Sequence, residues 1–469
     1  MDEIKSSFFN AKFDETKVIG DLKPGNPFDK DFQPIKLLKE GVLGKIYLAT
    51  CQKSDVEKFI KVINKCDYDR WQYKNDIKIL KKLNHPNITR YHGSYIQKNK
   101  VFVVTEYCNG NELLSEIVIN GRLSEKEAQS YFREVLEALC YLHSKKLVHG
   151  NLKPNNIIIE KDTKLVKLVN FGFSNHVTQK CVRMVNEFDK LVYNAPELEK
   201  GYYTEKNDIW SLGVILYLTL SGNLPFYAES AQKLTKLKKN RIPEFKGYKW
   251  DRVSSKAKNF IKKCICYKYK ERFSALEALK HPWIYEEAND SIILGHSLIS
   301  ELYTYSKECR LINNIKYFVC AFNELQKKEK DLVKIFKSID KNKDGELSKA
   351  EMINAYRENK SIFNAFKLNE GHIELLFNRL DLDCSGSIDF LEFLVAMKNF
   401  SAELNKKNLK KAFDQLSGND GYLDLNSLNI SLGAEVPDNE WLLLLEKYDK
   451  DGNKKIDFNE FLAIFNPHN

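Results

Sequence analysis

At 469 residues the chain is too long for one ordinary domain, and roughly two to four are expected. Hydrophobic residues make up 43% and charged residues 29%, and there are 11 prolines and 21 glycines, which excludes wholesale disorder and a collagen-like or low-complexity protein. The net charge of +10 is unevenly held: residues 331–469 carry 24 acidic against 18 basic side chains, a net of −6, which leaves +16 for the first 330.

The lysines of that basic part stand singly on helix-like segments, so nucleic-acid binding is not expected. Met1-Asp2-Glu3 opens without an apolar run for secretion, and Asp2 stands where myristoylation needs glycine. Residues 1–32 carry no readable motif and count as an N-terminal extension. No stretch reaches the ~18 apolar residues of a membrane helix. The best candidate, Ile209 to Leu220, stops at twelve residues. The ten cysteines are scattered, and their one close pair, Cys264 and Cys266, has neither zinc nor disulfide-framework spacing. Reduced thiols, a cytoplasmic location and no membrane anchor are therefore expected.

Residues 33–284 carry an ordered series of motifs. Lys39-Glu40-Gly41-Val42-Leu43-Gly44-Lys45-Ile46 comes first, then Lys58-Phe59-Ile60-Lys61 and Asp76-Ile77-Lys78-Ile79-Leu80. Val103-Val104-Thr105-Glu106-Tyr107-Cys108 and Glu112 follow. Next stand His149-Gly150-Asn151-Leu152-Lys153-Pro154-Asn155-Asn156 with Ile158, Asn170-Phe171-Gly172 and Ala195-Pro196-Glu197. Asp208-Ile209-Trp210-Ser211, Arg272 and His281-Pro282-Trp283 complete the series. Any one is weak evidence; in this order over about 250 residues they resemble the protein-kinase fold.

The resemblance implies a job for each residue. Gly41, Gly44 and Ile46 would cover ATP phosphates, with Lys61 binding phosphate and Asp76 as its acidic partner. Phe59 and Ile158 would be the roof and floor of the adenine slot. Glu106 and Cys108 belong to the hinge, Thr105 is the gatekeeper, and Glu112 stands near the ribose. Asn151 occupies the catalytic-base position beside Lys153, while Asn156 and Asn170 occupy the Mg²⁺ positions. Phosphoryl transfer rests on positioning and charge neutralisation. An amide at 151 cannot accept the substrate proton, and loss of a general base removes ~10²–10⁴-fold in rate. Asn170 offers a neutral oxygen where Mg²⁺ prefers carboxylate. Lys39 replaces the first loop glycine, Phe59 a small alanine, and Asp189-Lys190 the usual Gly-Thr. Gly150 removes the arginine that reads a phosphorylated loop. Glu197 with Arg272, and Asp208, are kept to anchor the large lobe. These departures describe a pseudokinase with doubtful ATP and Mg²⁺ binding.

The junction, 285–330, places Leu298, Leu302, Tyr305, Cys309 and Ile312, then Ile315, Phe318, Val319, Phe322 and Leu325, on helical stripes. It would either pack on the large lobe or be gripped by the acidic tail.

That tail, 331–469, explains its own acidity. Ca²⁺ needs six to eight oxygens on a curled twelve-residue loop, and position seven ligates through its main-chain carbonyl. Asp340, Asn342, Asp344, Glu346, Ser348 and Glu351 meet that spacing, with Gly345 at the turn. Asp381, Asp383, Ser385, Ser387, Asp389 and Glu392 repeat it. Asp449, Asp451, Asn453, Lys455, Asp457 and Glu460 repeat it again, with Lys454 where glycine is expected. The segment 416–427 keeps the helix–loop–helix outline, but only Asp420 and Asp424 could ligate, so it should be empty and pair with the Asp449 loop. The tail resembles a calmodulin-like domain of four EF-hands, three of them binding Ca²⁺.

The expected architecture is therefore α+β: a two-lobed kinase fold, a junction helix, and an all-α four-EF-hand domain. This order is similar to that of the calcium-dependent protein kinases. The expected function is a Ca²⁺-switched signalling scaffold whose kinase domain is impaired, with signalling proteins and its own junction helix as partners. A weakly active Ca²⁺-dependent Ser/Thr kinase, and a constitutive scaffold or Ca²⁺ buffer, remain as alternatives.

Overall fold

A computed structural model describes residues 31–41, 44–52, 55–65, 70–97, 99–177, 191–200, 203–240, 243–285, 305, 310–322, 330–365, 368–382, 385–397, 404–417, 421–432 and 438–465. Residues 1–30, Val42, Leu43, Asp189, Lys190, Leu298, Leu302, Cys309, Leu325, Asp383 and Asp420 lie outside them. The chain divides into two compact units: one holds residues 1–70 and 91–107, the other 71–90 and 108–469.

The first unit is an antiparallel sheet in the order β1-β2-β3-β5-β4, comprising β1 (Phe32–Gly41), β2 (Gly44–Cys51), β3 (Val56–Asn64), β4 (Tyr91–Gln97) and β5 (Lys100–Glu106). Period-two alternation sends Tyr47, Ala49, Ile60, Val62, Phe102 and Val104 to one core with Phe32. The register sets Ile46 opposite Lys61, and Leu48 opposite Phe59, which in turn faces Thr105. Directly opposed residues share a face, so Ile46, Phe59, Lys61 and Thr105 stand on one side of the sheet.

The second unit is mainly helical. It opens in α1 (Arg70–Leu80) and continues through β6 (Gly110–Glu112), α2 (Leu113–Asn120) and α3 (Glu125–Ser144). Ser124 and Glu127 form a reciprocal capping box that starts α3. Next come β7 (Leu147–Val148), β8 (Ile157–Glu160), β9 (Val166–Leu168) and β10 (Asn175–His176). The apolar run noted in the sequence is α4 (Lys206–Ser221), buried around its whole circumference. A helix apolar on all sides is a core helix, and among the described residues no helix is long and apolar enough to cross a membrane. Arg272 reaches Glu197 at 2.6 Å and, like it, is buried, so the expected ion pair forms.

The acidic region follows with α5 (Arg310–Phe322), α6 (Lys330–Ile339), α7 (Lys349–Glu358), α8 (Glu370–Leu380) and α9 (Phe390–Met397). It ends in α10 (Lys406–Leu416), α11 (Leu425–Leu432), α12 (Asp438–Tyr448) and α13 (Phe458–Phe465). Leu311, Ile315 and Val319, spaced by four on α5, are fully buried in the core of these helices, α9 and α10 being the nearest. The described part of the junction stripe thus faces the EF-hand core.

Candidate nucleotide and calcium sites

The strand pair β7–β10 delivers the chain into the loop that starts at His149. Asp208, near the start of α4, holds that loop by its backbone, accepting His149 N–H at 2.9 Å and Gly150 N–H at 3.0 Å. The imidazole of His149 is fully buried beside Phe171. Its Nδ1 accepts Asn151 N–H at 3.3 Å and its Nε2 lies 3.2 Å from Val169 O, which fixes a neutral tautomer. Burial holds its pKa below the ordinary value. It is a core histidine, as its sequence context suggests.

Asn151 is buried, and its carbonyl accepts the Asn156 amide at 2.7 Å. Asn156 Oδ1 in turn accepts the Asn170 amide at 3.3 Å. Asn170 sits at φ +68°, a left-handed conformation that asparagine tolerates better than most residues. The positions expected for base and metal are thus linked, Asn170 to Asn156 by side chains and Asn156 to Asn151 through the main chain of Asn151. Lys153 leads into the short 3₁₀ turn Pro154–Asn156, and Asn155 donates to Glu112 at 2.7 Å, which ties up a carboxylate oxygen of the ribose position. Ile158 stands opposite Glu112 in the β6–β8 register, and Cys108 is buried.

Gly150 sits at φ +71°, and a Cβ on it would lie 1.6 Å from the hydroxyl of Tyr203. That hydroxyl donates to Phe173 O at 2.8 Å. The space where a side chain at position 150 would begin is therefore filled by a tyrosine anchored to the turn at Phe173. Nothing in the local sequence of Gly150 points to Tyr203, 53 positions downstream.

In the sheet unit, the half-buried Phe59 meets the ring of Tyr107 edge-on at 5.0 Å. Its place beside Lys61 and opposite Thr105 puts the phenyl on the face carrying the nucleotide-site residues. Gly41 pairs with Gly44 to close the β1–β2 turn, and Glu106 ends β5 opposite Lys58, both buried. Asp76 lies on α1, and its side chain is outside the described residues.

The acidic loops share one bonding pattern. Gly345, Gly386 and Lys454 at position six donate N–H to the position-one carboxylates of Asp340, Asp381 and Asp449 at 3.0, 2.9 and 2.9 Å. The position-twelve residues Glu351, Glu392 and Glu460 accept N–H of Lys341, Leu382 and Lys450 at 3.0, 2.7 and 2.8 Å. Leu347 and Ile388 bridge the first two loops by paired backbone bonds, and Leu423 and Ile456 bridge the last two. The expected pairing of the ligand-poor loop with the Asp449 loop is therefore present. Asp424 caps α11 through Ser427 N–H at 2.8 Å and lies 3.9 Å from Lys455, so its carboxylate serves structure.

The donor sets fit a hard divalent cation. One carboxylate oxygen from each of Asp449, Asp451 and Glu460 falls within 4.8 Å of the others. Asp340 Oδ1 is buried with no hydrogen-bond partner among the described residues. Burial raises the Asp340 pKa to about 7, Lys343 opposing, and desolvation also raises that of Asp344. Asn342, Ser348, Asn453 and Asp457 take loop or helix-capping hydrogen bonds of the same kind, as do Ser385 and Ser387.

The structure also joins the first two loops to the kinase-like large lobe, through residue pairs that the sequence did not single out. Asn84 Nδ2 donates to Asp389 Oδ2 at 2.6 Å, and Lys145 Nζ meets Glu346 Oε1 at 2.5 Å. Lys337 pairs with Glu137 on α3 at 2.5 Å.

The family description "Protein kinase domain" matches residues 32–284, and "EF-hand domain pair" matches 329–398. The chain is 30% identical to "Calcium-dependent protein kinase 4" of Plasmodium berghei, over 98% of its own length and 90% of that protein. The protein of the same name in Plasmodium falciparum gives 30%, with the same coverage. "Calcium-dependent protein kinase 5" of Plasmodium falciparum gives 31%, over 91% of this chain and 76% of that one.

Proposed function

The chain belongs to the calcium-dependent protein kinase family, and from that premise we propose that it is a Ca²⁺-switched signalling scaffold whose kinase domain is impaired in phosphoryl transfer. The observation that carries the reading is the side-chain bond from the Asn170 amide to Asn156 Oδ1, which joins the two positions expected to hold Mg²⁺, beside an Asn151 that is buried and offers only an amide. Asn151 has no carboxylate to take a hydroxyl proton, and Asn170 brings no charge to offset phosphate. Phe59 on the nucleotide face and Tyr203 in the Gly150 slot support the same reading.

The EF-hand pair implies Ca²⁺ binding, and three loops are proposed to bind it. When bound, Ca²⁺ supplies the double positive charge that draws the loop oxygens together. Asp340, Asp381 and Asp449, with Glu351, Glu392 and Glu460 at the other end, hold each loop closed. The helices they lead into carry the core that grips α5. The partners are proposed to be signalling proteins that read this surface, in the cytoplasm.

A second reading, a weak Ca²⁺-dependent Ser/Thr kinase, draws on the retained Lys61, Lys153 and Asn156 and on the left-handed turn kept at Asn170. Phosphate transfer from ATP to a generic protein substrate, with saturating Ca²⁺ and then chelator, decides between them. No signal above a Lys61→Met variant is the expected result; a Ca²⁺-dependent signal abolished by Lys61→Met overturns the scaffold reading.

A further inference from the structure

The kinase-like large lobe touches the first EF-hand pair at atoms that matter for calcium. We propose that Asn84 and Lys145, both on that lobe, are affinity-setting residues that hold the first two loops in the arrangement that takes up Ca²⁺. The inference rests on the calcium-binding reading of those loops and adds the large lobe as a part of their response.

Tyr141 on α3 organises the contact. Its hydroxyl accepts Asn84 N–H at 2.9 Å, and Lys145 stands 5.0 Å from its ring centre. The same ring covers Gly345: a Cβ there would lie 2.5 Å from Tyr141 Cδ2 and 2.8 Å from His85 Cδ2. Loop one is thus pressed onto α3 at its turn, next to the Gly345 N–H that Asp340 accepts.

The contacts leave the position-seven ligands free and touch position nine, which often ligates through a water, at Asp389. Glu346 and Ser387 stand at position seven, which ligates through the main-chain carbonyl, so their side chains are available for other bonds. Glu346 uses its two oxygens on Lys145 and on Ser387 Oγ, at 2.5 and 2.8 Å. Asp389 caps Glu392 N–H through Oδ1 at 2.8 Å and meets Asn84 through Oδ2. Asn84 is neutral and leaves the carboxylate its charge.

The ion-free first loop carries a cost close to this contact. Asp340 is only 4% exposed, and its Oδ1 has no partner among the described residues. A desolvated carboxylate oxygen without a partner is unfavourable, and a dication in the loop removes that penalty. Contacts that hold this loop in place and leave its position-seven ligand free favour calcium. By reciprocity, calcium favours the docking.

The test is calorimetric Ca²⁺ titration of the full chain in a Glu460→Gln background, which silences the Asp449 loop. Lys145→Glu and Glu346→Lys are each expected to weaken affinity about tenfold, and the double swap to restore it to within about threefold. Lysine is accommodated at position seven in the Asp449 loop, where Lys455 stands, so Glu346→Lys keeps the main-chain ligand. Asn84→Ala should weaken affinity without changing the loops' own sequence. Unchanged or tighter binding in the single variants, or no rescue by the swap, overturns the proposal. A background chain that takes up no Ca²⁺ overturns the calcium reading itself, which is a separate result.

Discussion

Asn170 donates its side-chain amide to Asn156 Oδ1 across 3.3 Å, so the two positions expected to hold metal are joined by a hydrogen bond. Two aspartates at 151 and 170 would instead place two negative charges beside Asn156, an arrangement that favours a cation. The asparagines lack that charge, and the Asn170 amide donates to Asn156 instead.

Restoring chemistry should take three changes. Asn151→Asp with Asn170→Asp supplies the base and the metal carboxylate but leaves the Phe59 ring beside Lys61. We expect no ATP- and Mg²⁺-dependent thermal shift in that double variant, and a shift with measurable phosphotransfer once Phe59→Ala is added. Transfer by the double variant alone would place the whole deficit at the two asparagines.

Arg272 should be among the least replaceable residues of the large lobe. It donates to both oxygens of Glu197 and to the carbonyls of Cys266 and Lys206, with its side chain fully buried. Arg272→Ala leaves Glu197 charged and buried, a loss of about 3–5 kcal/mol. Denaturant unfolding followed by tryptophan fluorescence should show it, since Trp210 stacks under the guanidinium at 5.0 Å.

The two buried histidines should cost stability on the acid side of neutrality. His85 and His149 are buried, and desolvation holds both below the ordinary value of 6.5, with Lys337 adding to the effect at His85. A base with a depressed folded pKa takes up a proton on unfolding. Its contribution is complete above the unfolded value and is lost as pH falls through the folded one. Asp340, whose pKa is raised, acts in the opposite sense over the same range, so the histidine contribution is read as a difference. Urea midpoints of the unaltered chain and of His85→Gln should run parallel above about pH 7, and the unaltered chain should lose ground to the variant below about pH 6.5.

Lys454 occupies φ +63° at position six of its loop, a conformation that disfavours a side chain by ~1–2 kcal/mol. Lys454→Gly should tighten Ca²⁺ binding there by about fivefold, the equivalent of ~1 kcal/mol. Lanthanide luminescence sensitised by Tyr448, next to Asp449, gives the readout.

Gly150→Arg should fail to restore phosphate reading, because its Cβ would fall 1.6 Å from the Tyr203 hydroxyl. The variant is expected to lower the unfolding midpoint, and Tyr203→Ala to relieve part of that loss. A stable Gly150→Arg chain would show that Tyr203 moves aside readily.

Motif spacing by itself determined the family, the order of its parts and the cation loops, because these depend on residue type at fixed separations. Asn151, Asn170 and Lys454 were legible for that reason. Even the pairing of the ligand-poor loop followed from Leu423 and Ile456 falling at equivalent positions. What spacing cannot carry is contact between residues far apart in the chain. The Tyr203 hydroxyl beside Gly150, Asn84 against Asp389 across 305 positions, and Lys145 against Glu346 across 201 are such contacts. Phe59 lies between these cases: its identity was conspicuous in the sequence, but the face it occupies follows from the β3–β5 register. Packing alone sets which distant side chains meet, and it is packing that joins the calcium loops to the kinase-like body.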